Sequence, residues 1–153
     1  MTSIEGTTVL DLRRANHIVE LTLRRASELV VPPLTVVVLD PAGHLVAAQR
    51  QDGASMFRFD VAVGKAWGAV AMGGSSRSLA ARAQDNPNFF AALAATAQGR
   101  FLPQPGAVLV RAADGTILGS VGASGGTGDE DEACCAFAVS EAGFLPERAG
   151  AEA

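Results

Sequence analysis

The run Leu34-Thr-Val-Val-Val-Leu39, then Asp40-Pro-Ala-Gly43, then His44-Leu-Val-Ala-Ala-Gln-Arg50, constrains the fold more than any other stretch. Consecutive β-branched and leucine residues suit a strand covered on both faces. Pro at the second and Gly at the fourth position of the following tetrapeptide specify a tight turn. The segment therefore doubles back as a hairpin. A second hairpin is expected from Ala107–Val110 and Ile117–Ala123, joined around Ala112-Ala-Asp-Gly115. Helical patterns lie before, between and after the two hairpins, giving the order α-β-β-α-α-α-β-β-α. This is α+β, an antiparallel sheet from two hairpins flanked by helices, and not the βαβ pattern of dinucleotide-binding folds.

From about Leu10 to Val30, Leu12, Ala15, Val19, Leu23, Ala26 and Val30 share one helical stripe. Pro32-Pro33 ends that helix, because proline cannot continue the hydrogen-bond ladder. Further helices are expected over Arg58–Met72, Leu79–Gln84, Asn88–Gln98 and Asp129–Gly143. Residues 1–8 and the tail after Phe144, which contains Pro146, carry no periodicity and are expected to be loose. One domain is thus expected over residues 1–153, with its ordered core at about 10–144.

The length of 153 residues suits one domain, large enough to bury a core without disulfides or metals. Twelve basic against sixteen acidic residues give a net charge of −4, which argues against a nucleic-acid footprint of clustered Lys and Arg. No stretch approaches the roughly 20 apolar residues of a membrane helix. Met1–Gly6 lacks the basic and apolar regions of a signal peptide. Cys134 and Cys135, the two cysteines, are adjacent and form no disulfide framework; they read as small core residues. A cytoplasmic protein with neither nucleic-acid nor membrane partners is expected. Its 29 Ala and 17 Gly predict close backbone packing, of helix on sheet or of subunit on subunit.

Several ordered motifs carry a resemblance: Val38-Leu-Asp-Pro-Ala-Gly-His-Leu-Val46, Arg50-Gln-Asp-Gly-Ala54, Lys65-Ala66, Gly119-Ser-Val-Gly-Ala-Ser-Gly-Gly126 and Asp131-Glu132. Over roughly residues 10–143 the chain resembles the GlcG/HbpS-like haem-binding family, which includes the C-terminal domain of PduO-type proteins. The resemblance implies a profilin-like α/β/α layer and homo-oligomers; some members bind haem, and some relatives are small-molecule lyases. The chain departs from the family pattern at Gln51, at Trp67-Gly68 and at Pro105-Gly106. Trp67 is expected to narrow any pocket beside Lys65.

On the back of the first helix, Leu10, Arg14, His17, Leu21, Arg24 and Glu28 cluster opposite the core stripe. An apolar patch with an imidazole and a guanidinium rim is what a haem needs: an axial nitrogen, contact for the ring and cations for the propionates. His17, Arg14, Leu21 and Arg24 are the candidate haem residues, and a two-fold axis would let two such helices share the ligand. The same pattern also suits a helix–helix subunit contact with an incidental histidine.

A second constellation joins Arg50, Asp52, Lys65, His44 and Ser124. Lys65 lies in a helix almost free of charge, and a buried lysine needs a partner; Asp40, Asp52 or Asp60 is expected beside it. Either Lys65 pins helix to hairpin, or Lys65 and Arg50 bind a substrate carboxylate, or Lys65 serves as a catalytic base, with His44 as ligand, proton donor or mere packing. The loop Ser124-Gly-Gly-Thr-Gly128 precedes a helix, the geometry of an anion site. The acids Asp129–Glu132 that follow, and the missing P-loop lysine, argue instead for self-capping, with Ser124 lining a pocket shared with Lys65. No metal site is expected, since the acidic run lacks the spaced ligands of a calcium loop. Three functions stay open: a homo-oligomer binding haem or a similar planar ligand; a cofactor-free lyase or isomerase acting on a small aromatic or carboxylate substrate near Lys65; and a ligand-free assembly module.

Overall fold

The computed structural model describes residues 9–147. In chain order the elements are α1 (Leu12–Glu28), β1 (Thr35–Leu39), β2 (Leu45–Arg50), α2 (Phe57–Met72), α3 (Ser76–Asp85), α4 (Pro87–Thr96), β3 (Ala107–Arg111), β4 (Ile117–Ser124), α5 (Gly128–Glu141) and β5 (Leu145–Glu147). The strands form one antiparallel sheet in the order β2-β1-β4-β3-β5. Both expected hairpins are present. In the first turn the Gly43 N–H donates to the Asp40 carbonyl at 2.9 Å, and Gly43 takes a φ of 85°.

Side-chain alternation along β1 explains the layering. Val36 and Val38 enter the core under α1 and α5, while Val37 and Leu39 pack against Ala62 and Ala66 of α2 on the other face. Every residue of β1 is buried, as a strand sandwiched between layers requires. The α/β/α expectation holds, with α3 and α4 stacked beyond α2. The abundance of small residues is used where α2 crosses β4: a Cβ on Gly122 would sit 2.6 Å from the Ala62 carbonyl oxygen. Alanines 62, 66 and 69 are buried on the facing helix.

Two expectations are corrected. The tail after Phe144 is not loose throughout, because Leu145–Glu147 adds an edge strand to β3 in the register Val110↔Pro146. Proline is tolerated at a sheet edge, where one side of the strand has no partner to satisfy. An ion pair between Arg111 and Glu147 fastens it. Residues 1–8 and those after 147 lie outside the described residues.

The second correction concerns α1. Its buried stripe is Ala15, Ile18, Val19, Thr22 and Ala26, joined by Leu21, while Leu12 and Val30 are 58% and 86% exposed. Val30 follows the C-cap with φ 58°, a left-handed conformation that throws it off the helical stripe. Leu10 precedes the N-cap Asp11, so helical angles do not apply to it. It turns back into the core at 6% exposure. Leu21 is 3% exposed on the margin facing α5, where, one turn on, Arg25 stacks 4.6 Å over the Phe137 ring. The outer face of α1 therefore carries no leucine pair.

Candidate functional site

The deepest concentration of charge lies where α2, β4 and the start of α5 meet. Arg58, Val61 and Lys65 recur at i, i+3 and i+7, so one face of α2 presents all three. Together with Leu102, Gln104, Pro105, Ser124, Gly126, Thr127, Gly128 and Asp129 they line a cleft of about 380 Å³. Lys65 is only 6% exposed. Its Nζ donates to the Ala123 carbonyl at 3.1 Å and lies 3.5 Å from Asp131 Oδ2. It also packs against Gly106, at φ 136°, where a Cβ would approach it to 2.6 Å. Ser124 closes the cleft floor, its hydroxyl 3.3 Å from the Arg58 guanidinium.

The expected partners Asp40, Asp52 and Asp60 are thus replaced by Asp131, and the pin runs from helix to helix. Asp131 is 1% exposed and its Oδ1 accepts the Gly126 N–H at 3.0 Å. Burial pushes its carboxyl above the usual carboxylate range, against the pull of Lys65 and of that N–H. The neighbouring acids are occupied as well. Thr127 and Glu130 form a reciprocal capping box on α5, as self-capping requires. Arg77 of α3 pairs with Asp129 and with Glu132, the latter at 3.1 Å. Among the described residues no group of three or more His, Cys, Asp and Glu is placed to hold a metal.

Ser124 and Lys65 share the cleft, as expected, but Arg50, Asp52 and His44 do not line it. Arg50 and Asp52 border a separate depression of about 500 Å³ with Leu23, Val31 and Pro33. The strand end places them outward, beyond the edge of the sheet. His44 sits on the hairpin turn, its side chain 80% exposed and its Nδ1 3.7 Å from Asp40 Oδ2. Trp67 does not narrow the Lys65 cleft. It faces the far side of α2, under the Arg100 guanidinium at 4.7 Å. Arg58 is the guanidinium that the residue-by-residue reading missed, although its spacing from Lys65, two helical turns, was visible. Cys134 and Cys135 are fully buried; burial pushes the Cys134 thiol up to about 11 and that of Cys135 well above the usual range.

The remaining candidates lie on α1. His17 is exposed and lines a surface depression of about 500 Å³ with Arg13, Arg14, Asn16, Glu20 and, from the end of α5, Ala142. Arg14 is held by Asp11 at 2.6 Å. Arg24 is exposed two turns further on and does not border this depression. Leu21, being in the core, contributes no surface to it.

Comparison with known proteins places this architecture. The PduOC:haem complex superposes with a TM-score of 0.81 at 24% identity, over 92% of this chain and 99% of that one. Klebsiella pneumoniae protein ORFY matches at 0.76 and 26% identity, over 84% and 87%. A double mutant of Streptomyces reticuli HbpS matches at 0.76 and 25%, over 92% and 89%. No curated protein matches the chain at a significant level. Among the described residues no helix is long and apolar enough to cross a membrane. The family model described as "Haem degrading protein HbpS-like" matches residues 10–140, and the chain belongs to that family.

Proposed function

We propose that this protein binds haem, or a ligand of similar flat shape, on the outer face of α1, where the His17 imidazole would hold the iron. The observation that carries the reading is the exposed His17 at a depression rimmed by Arg13 and Arg14. An imidazole suits the iron and guanidinium groups suit the propionates. Family membership and the likeness to a structure that holds haem support the same ligand. The donor chemistry of the face fits a haem, but its apolar lining does not suffice alone, since Ala142 is the one aliphatic residue there. The rest of the wall comes from a second copy of the chain, so ligand binding and self-association are one event. When bound, the iron supplies redox chemistry; the residues named here hold and orient the ring.

Titration with haem, followed by absorbance, tests this directly. A Soret band that saturates in the parent protein and in His44→Ala, and that is lost in His17→Ala, is the expected result. An equal band in His17→Ala overturns the assignment.

A further inference from the structure

We infer that the cleft between α2, β4 and α5 binds a small carboxylate with an apolar body, independently of the face that carries His17. Three features point to an anionic head group. Lys65 has three N–H donors but only two acceptors among the described residues, the Ala123 carbonyl and Asp131. Arg58 reaches into the same space with a guanidinium that forms no ion pair within the described residues and bonds only the Ser124 hydroxyl. A planar guanidinium beside an ammonium and a hydroxyl matches a carboxylate in geometry and charge.

The third feature is Thr35. It pairs in register with Ser124, so the two side chains share the sheet face that α2 covers. Thr35 is 1% exposed, and its Oγ1 is the buried side-chain atom left without a hydrogen-bond partner among the described residues. An unsatisfied buried hydroxyl is costly and rare; Thr35 does not itself line the cleft, but its ladder partner Ser124 does.

The acids nearby do not cancel this. Asp131 stands behind Lys65 and is committed to it and to Gly126. Asp129, at the mouth, is drawn off by Arg77. Val61, between Arg58 and Lys65 on α2, joins Leu102 and Pro105 in an apolar wall of the same cleft. A cleft of about 380 Å³ falls at the small end of ligand sites, which begin at roughly 300 Å³. The wall selects a compact hydrocarbon body over a bare inorganic anion.

Benzoate is the probe, with benzamide as its uncharged counterpart. Amide-resolved NMR spectra of the full chain are expected to show saturable benzoate shifts at Gly126 and Thr127, and none with benzamide. Arg58→Gln, whose spectrum also reports that it is folded, weakens benzoate by about tenfold or more, the usual worth of a hydrogen bond to a charged group. His17→Ala binds benzoate as the parent does, which separates this site from the haem reading. Unmoved amides, equal shifts with benzamide, unchanged affinity in Arg58→Gln, or inorganic phosphate binding as tightly as benzoate would each overturn the inference.

Discussion

The outer face of α1 and the cleft beneath α2 carry similar chemistry at very different cost. On α1, Arg13, Asn16, His17, Glu20 and Arg24 come from one helix and all are exposed. Their charges stay hydrated, so the fold is nearly indifferent to them. In the cleft, Lys65, Asp131 and Ser124 come from three elements and all are buried. Each buried charge depends on its partner. A residue on the first surface is therefore free to be chosen by a ligand, whereas one in the second must satisfy the fold first.

The contrast is open to attack by mutation. The largest effect is expected at Lys65→Met, which leaves Asp131 buried without its cation and costs about 3–5 kcal/mol, measured by urea denaturation. Adding Asp131→Leu should recover part of that loss, because it removes the unpaired buried charge while leaving the Gly126 N–H without its acceptor. A Lys65→Met protein as stable as the parent would place the pair effectively in water.

Next comes Leu21→Ala, expected to cost about 2–5 kcal/mol as a buried leucine truncated to a cavity. Arg24→Ala, on the exposed face, should leave the denaturation midpoint unmoved. If the two behave alike, Leu21 is not in the core.

The smallest effect is the pH dependence of Asp131. Its carboxyl titrates higher in the folded than in the unfolded chain because burial disfavours the charge. Protonation therefore favours the fold: this contribution grows as pH falls through the native value and is lost as pH rises through it. Asp11 and Asp114 act oppositely, since backbone N–H groups hold their carboxyls low and their contribution is lost on acidification. The difference profile between the parent and Asp131→Asn isolates what Asp131 contributes; a flat difference contradicts it.

Much of this fold was legible because its signals are local. The turn Asp40–Gly43 and the β-branched run before it located the hairpin. The capping acids of α5 located that helix. The α1 stripe is only partly legible: Leu10 and Val30 lie beyond the helix caps and obey no helical angle, while Leu12, in the first turn, is exposed and Leu21 is buried, a choice made by the neighbouring elements and not by spacing. β5 escaped notice because a three-residue edge strand containing proline has no pattern of its own; only β3 beside it makes it a strand. The same holds for the site. The burial of Lys65 and its need of an acid followed from its apolar surroundings. That the acid is Asp131, 66 residues away, depends on how the sheet brings α2 and α5 together, which no local spacing encodes. Arg58 was within reach, two turns from Lys65 on the same face.

The most direct measurement is the mass in solution of the species that absorbs in the Soret band, by sedimentation of the haem-loaded protein. The expected result is a haem-carrying species of at least twice the 15.6 kDa chain, absent in His17→Ala. Haem sedimenting with a single chain, or with His17→Ala as with the parent, would contradict a seat on α1 completed by a second copy.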